Sequence, residues 1–248
     1  MSRWKASGLH LLISFIVIGL IASYIVYFWY PPALMHMAKA DRLLMLIGGV
    51  DLVVGPLLTL IVYKANKPRL KLDLTIIALM QIIFLGYGLQ TIWNSRPVFL
   101  VAVPDRFEFV FANEITPKRL AEAKIERFKK LSFSKPALVG AVMPVNTKEQ
   151  DAIFESALSG KGDLQTMPKY YVEYEKVVGA LLKHGKPLVA DKATSKALSN
   201  KLIHAAKAYD ENPSELVYFT LASSRHFAIL LVNKNTGVIV GPVNADPE

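Results

Sequence analysis

The chain has 248 residues, of which 52% are hydrophobic and 20% charged, with a formal net charge of +9. That charged share is below the roughly 25% usual in soluble domains, and the absence of cysteine excludes disulfides, thiolate metal sites and cysteine nucleophiles. The basic balance does not indicate nucleic acid, because the charge is unevenly placed: residues 1–93 hold only Asp41, Asp51 and Asp73 as acids, while residues 94–248 carry 21 Lys and Arg against 17 Asp and Glu.

Leu9–Tyr30 is free of Asp, Glu, Lys and Arg over 22 residues, and a hydrocarbon layer about 30 Å thick needs roughly 20 helical residues. Trp4 marks one edge of this span; Tyr24, Tyr27, Phe28, Trp29 and Tyr30 crowd the other in an aromatic belt, and Pro31–Pro32 is expected to stop the helix. A cleaved signal peptide is the competing reading of the basic start, Arg3 and Lys5. Its apolar run would be only about 7–15 residues and would end in a small-residue cleavage site. The second span is Leu43–Tyr63, with Gly48, Gly49, Asp51, Gly55 and Pro56 inside it; the third is Leu74–Trp93, with Gln81, Gly86 and Gly88. The glycines permit close approach of helices in lipid, and Pro56 removes a backbone donor.

Basic residues set the orientation. Arg3 and Lys5 precede the first span, and Lys64, Lys67, Arg69 and Lys71 fill the loop after the second. The loop after the first has only Lys39 and Arg42 around Asp41. The positive-inside rule therefore places the N-terminus in the cytoplasm and residues 94–248 across the membrane, in the periplasm of a bacterium with two membranes. Asp51 falls about 12 Å in from one edge of its span at 1.5 Å per residue. A carboxylate there needs a partner, a proton or water. It either contacts a polar group on a partner helix or bonds within the bundle, for instance to Gln81, Tyr87 or Ser23.

Past the spans, strands are expected at Val98–Val103 and Phe107–Phe111, with Phe107, Phe109 and Phe111 on one face. A helix follows from Pro117 to about Leu131, capped by Thr116, then a strand at Ala137–Val145. Thr147 with Gln150 suggests a capping box opening a helix to about Leu158, and Gly160 stands just beyond it. Further helices are expected near Lys169–His184 and Ser195–Tyr209. The end reads as strands Glu215–Leu221 and His226–Val232, a turn at 233–237, and Val238–Val240. The whole is a membrane protein, with a three-helix region over residues 1–93 followed by a periplasmic α+β domain over residues 94–248.

Catalytic signals are poor, so the expectation is not an enzyme and no cofactor. His10, His36, His184, His204 and His226 lack metal-ligand spacing, and there is no nucleophile elbow, P-loop or dinucleotide fingerprint. Ser223-Ser224-Arg225-His226 reads as a turn. Tyr170, Tyr171 and Tyr174 are either a packed helix face or a periplasmic interface.

The stretch from Val50 to Val62, with Asp51, Gly55 and Pro56 followed by Leu57-Leu58-Thr59-Leu60-Ile61, resembles the DxxxGPLLTLIV signature of TfpX/TfpZ-type type IV pilin accessory proteins. Gln81 with Gly86-Tyr87-Gly88-Leu89-Gln90-Thr91 resembles that family's Q…YGLxT stretch, and Asp105-Arg106-Phe107-Glu108 its DRFE stretch. The match runs in order from about residue 10 to 115. The resemblance implies an inner-membrane protein that binds its cognate major type IV pilin and supports pilus assembly or surface display, with other pilus assembly proteins as further partners and the lipid bilayer as its setting. On that reading Asp51, Gly48, Gly49, Gly55, Pro56, Gln81, Gly86 and Gly88 bind the partner or organise the bundle. The rival classes are a membrane-anchored ligand-binding or sensory module and a pilin-modifying transferase.

Overall fold

A computed structural model describes residues 1–30, 35, 38–189 and 195–246. Pro31–Pro32, His36 and the last two residues lie outside the described residues. Three long helices come first: α1, Arg3–Phe28; α2, Ala40–Val62; and α3, Leu70–Asn94. Each is long and apolar enough to cross a membrane. Each also begins several residues before its apolar run, since polar flanking residues continue the helix once it is nucleated. That earlier start moves Asp51 to the midpoint of the 23-residue α2, deeper than the span boundaries alone suggest. Helix α2 passes through Pro56 without interruption and packs against both α1 and α3.

Two residues separate α3 from β1, Pro97–Ala102, the first strand of an eight-stranded mixed sheet. The others are β2, Phe107–Phe111; β3, Ala137–Ala141; β4, Tyr171–Val172; β5, Lys186–Pro187; β6, Leu216–Ser223; β7, Phe227–Asn233; and β8, Ile239–Val243. The order is β4-β3-β1-β2-β6-β7-β8, with β5 paired to β6. Strands β1 with β3 and β2 with β6 run parallel; the remaining pairs are antiparallel.

Both faces of the sheet are buried, and strand alternation assigns the residues. Leu100, Ala102, Phe107, Phe109, Val217, Phe219, Leu221 and Leu230 point to one face, under Tyr174 and Leu181. Phe99, Val101, Val110 and Val139 point to the other, under a short helix α4, Pro117–Ala121, and helix α5, Thr147–Leu158. Further along that second face, Tyr218, Ile229 and Leu231 meet Leu198, Leu202 and Ala206 of helix α7, Lys196–Ala208. A one-turn helix α6, Val178–Leu181, lies over the first face.

Five expectations are corrected. The helix predicted from Pro117 to Leu131 stops at Ala121 and resumes as a 3-10 turn at Glu126–Lys129. One continuous helix would scatter Leu120, Ala123, Ile125 and Phe128 around its axis, whereas the break lets all four join the same core. Strand β3 ends at Ala141, not Val145. The cap of α5 is Asn146, whose side chain accepts from the Lys148 amide, while Gln150 donates to the Pro144 carbonyl. The helix predicted at Lys169–His184 is replaced by 3-10 turns, β4 and α6. Tyr171 lies in the core of one sheet face and Tyr174 in that of the other. A helix would put residues three apart on one side; the chain instead wraps round the edge of β3 and covers both faces. Phe111 likewise parts from Phe107 and Phe109 and joins the junction with the long helices.

Candidate functional site

The buried face of α2 carries Gly48, Asp51, Gly55 and Thr59. Spacings of three and four put these on one stripe. A stripe of small and polar side chains is what close helix contact in lipid requires, since lipid gives apolar surface no incentive to hide. A Cβ on Gly48 would come within 3.2 Å of Ile18; one on Gly55 would collide with the Gln81 amide, and one on Gly88 would meet Ile47 at 2.7 Å. Gly49 and Gly86 differ: nothing lies within 4 Å of a Cβ placed there. The eight candidate residues therefore separate. Gly48, Asp51, Gly55, Pro56, Gln81 and Gly88 line inter-helix contacts, and Gly49 and Gly86 face outward.

A polar chain crosses the three helices. His10 of α1 places Nδ1 2.6 Å from Thr59 Oγ1 and Nε2 2.6 Å from Gln81 Oε1. An amide oxygen only accepts, so Nε2 carries the imidazole proton and Nδ1 accepts from the Thr59 hydroxyl. Gln81 Nε2 then donates to the main-chain oxygen of Asp51 at 3.2 Å. Beside this chain, Ser7 Oγ donates to the Pro56 carbonyl at 2.8 Å. Of the bundle partners the sequence suggests for Asp51, Gln81 reaches its backbone; Tyr87 is exposed, and Ser23 bonds to the Gly19 carbonyl. His10 and Thr59 escape a reading of the sequence that tests histidines only for metal spacing. Their signal is a histidine at the second position of an apolar run and a threonine on the buried stripe.

The Asp51 side chain is 4% exposed, and its Oδ1 has no hydrogen-bond partner. It lines a cavity of about 220 Å³ between α1 and α3, together with His10, Ile13, Ser14, Ile18, Gln81 and Ile82. The walls open outward, since Ile13 and Ile82 are 53% and 65% exposed. The arrangement is a groove with aliphatic sides and a polar floor.

A second junction joins the long helices to the sheet. Ile25, Trp29, Tyr30, Ala38, Ile92 and Phe111 form one buried cluster, and the Tyr30 hydroxyl donates to the Ile92 carbonyl at 3.1 Å. Arg225, at the β6–β7 turn, sends Nη1 to the carbonyls of Ala38 (3.0 Å) and Ser95 (3.3 Å) and stacks its guanidinium 3.8 Å from the Phe111 ring. Arg96 stacks 3.5 Å from the Trp93 ring and donates Nε to the Ser132 carbonyl. Within the turn, Ser223 Oγ donates to the His226 carbonyl at 2.8 Å, which is a turn-closing bond.

The three tyrosines do not share a surface. Tyr171 is buried and donates to the Gln165 carbonyl. Tyr174 is buried, donates to the Gly237 carbonyl at 2.8 Å, and has its hydroxyl pKa pushed up to about 12 by burial. Tyr170 is half-buried at the sheet edge, 3.4 Å from Glu149 Oε2. Among the described residues no group of three or more His, Asp and Glu is placed to hold a metal ion.

The chain is 29% identical over 240 residues to the fimbrial assembly protein of serogroup I from Dichelobacter nodosus, covering 94% of this chain and 92% of that protein. It is 28% identical over 239 residues to the serogroup E1 protein of the same organism, with the same coverage. The shorter fimbrial assembly protein of serogroups C1 and C2 matches at 34% identity over 122 residues, 48% of this chain and 92% of that protein. No family model matches the chain. No solved structure matches it either.

Proposed function

The chain belongs to the family of fimbrial assembly proteins, and on that premise we propose that it is a multi-pass inner-membrane accessory protein of the TfpX/TfpZ type that binds its cognate major type IV pilin and supports pilus assembly. In this reading it works by holding a partner and catalyses no reaction. On the same reading the N-terminus is cytoplasmic and the sheet domain periplasmic, an orientation that the basic clusters at Arg3–Lys5 and Lys64–Lys71 support through the positive-inside rule.

The observation that carries the proposal is the groove between α1 and α3. An ionisable side chain at mid-helix costs several kcal/mol unless it is paired, and the chain's own helices leave Oδ1 of Asp51 without a partner. Another membrane helix seated in the groove supplies that partner. The relatives' names supply the process, and the groove supplies a place for a helix to bind.

Photo-reactive side chains at Ile13 on the groove rim and at Gly86 next to it, in living cells that make pili, test the reading. A crosslink to the major pilin is the expected result. No pilin adduct from any site on the helices or the sheet, with the protein correctly inserted, would remove the pilin as partner and leave the sensory module.

A further inference from the structure

Asp51 Oδ1 is buried without a partner at the midpoint of α2. None of the nearby polar groups bonds to it. Both ring nitrogens of His10 are taken by Thr59 and Gln81, one of the two Gln81 amide hydrogens goes to the main-chain oxygen of Asp51, and the Ser14 hydroxyl, which lines the same cavity, makes no bond to Oδ1. A buried acceptor left unsatisfied is destabilising, and no water is at hand in the hydrocarbon layer to relieve it. Nothing in the bundle relieves that cost, and the carboxyl lines a groove whose rim is open at Ile13 and Ile82.

We infer that this groove is the seat of one partner transmembrane helix, which brings a neutral hydrogen-bond donor to Asp51 Oδ1 at mid-membrane depth. The inference rests on the reading that the three helices hold a partner's helix, and it names the chemistry of the contact. The occupant follows from complementarity. A lipid chain would fill the aliphatic walls but has no donor. A lysine or arginine would carry a full charge to the depth where it is most costly. A hydroxyl, amide or protonated carboxyl satisfies Oδ1 without that cost. A second copy of this chain is poorly equipped at that depth, because the exposed hydroxyls and amides of its spans, Ser23, Tyr24 and Tyr27 on α1 and Thr75, Tyr87, Gln90 and Thr91 on α3, all stand well away from the helix midpoints. The cavity of about 220 Å³ takes one or two side chains as knobs from such a helix.

The test uses the full chain in its own membrane, with a photo-reactive residue at Ile13 or Ile82, in three backgrounds: wild type, Asp51→Asn and Asp51→Leu. Asparagine keeps an acceptor at nearly the same place; leucine removes it. The wild type should give one defined heterologous adduct. Asp51→Asn should keep it within about twofold, and Asp51→Leu should lower it about tenfold, the equivalent of one hydrogen bond at about 1.4 kcal/mol. In a fourth variant, Ile82→Trp, which fills the groove and leaves Asp51 intact, the adduct from Ile13 should fall as far. Equal membrane levels and protease resistance of the sheet domain establish folding in each. Asp51→Leu with an undiminished adduct overturns the donor contact, and so does Asp51→Asn falling as far as leucine. Adducts only to lipid or to a second copy overturn the partner. An adduct to another protein that is lost in Asp51→Leu and kept in Asp51→Asn upholds this contact while the pilin reading fails; a pilin adduct seen only from the sheet domain does the reverse.

Discussion

Tyr174 and Glu108 show how single side chains are held where both faces of a sheet are covered. The Tyr174 hydroxyl is the buried donor to the Gly237 carbonyl in the turn before β8. Tyr174→Phe leaves that carbonyl unpaired and should destabilise the sheet domain by about 1–2 kcal/mol, seen as a lower midpoint of thermal unfolding in detergent; an unchanged midpoint would remove the bond from the account. Glu108 is buried on β2 and accepts from Arg106 Nε at 2.7 Å. Burial pushes its carboxyl above the usual range, and the hydrogen bond and charge of Arg106 pull it back only in part. A carboxyl raised on folding takes up its proton more readily in the folded state, so its contribution favours folding at low pH and is lost as pH rises through the folded value. Lowering the pH from neutral towards 5 should therefore stabilise the wild type relative to Glu108→Gln; an equal response in both would show that Glu108 titrates normally.

At the scale of elements, glycines and caps decide which helices form and how closely they meet. Gly88 and Gly86 are two residues apart on α3, yet a Cβ on Gly88 meets Ile47 and one on Gly86 meets nothing. Gly88→Val should force α2 and α3 apart and lower the steady-state level of the protein in membranes severalfold, whereas Gly86→Val should leave that level unchanged. Equal losses would mean that both glycines serve the bundle. In the sheet domain, α5 is bounded by Asn146 and by Gly160, whose φ of +69° lets the Gly160 and Lys161 amides return to the carbonyls of Ala157 and Ser156. Asn146→Ala should cost about 1 kcal/mol of domain stability, measured by the same thermal unfolding.

Considered whole, the molecule is two apolar bodies, a bundle and a sheet, joined at Phe111 and locked by Arg225. Arg225→Ala should leave both folded but loosen the joint. Amide exchange at Lys39 and Arg96, which follow the carbonyls that Arg225 bonds, should rise by about tenfold, the scale of one charge-assisted hydrogen bond. Unchanged exchange would show the joint to be held by the apolar cluster alone. Alkaline phosphatase fused to the C-terminus should be active, and a fluorescent protein there dark; the opposite result ends the proposed orientation.

Much of this plan was legible in the residues. Leu9–Tyr30, Leu43–Tyr63 and Leu74–Trp93 declare their helices because an apolar run and its polar flanks are local facts. The strand at Phe107–Phe111, the final three strands and the Ser195-capped helix declare themselves through alternation, turn chemistry and capping. The tertiary structure alone decided the rest. Tyr171 and Tyr174 left a promising helix because the two faces of the sheet each needed an aromatic cover, and burial outweighs local helix preference. His10, Thr59, Gln81 and Asp51 meet across sequence separations of 30 to 71 residues. Their pairing follows from which helix faces touch, and from the cost of a polar group that finds no partner in an apolar medium. That same cost, unmet at Asp51 Oδ1, is what only the folded molecule reveals.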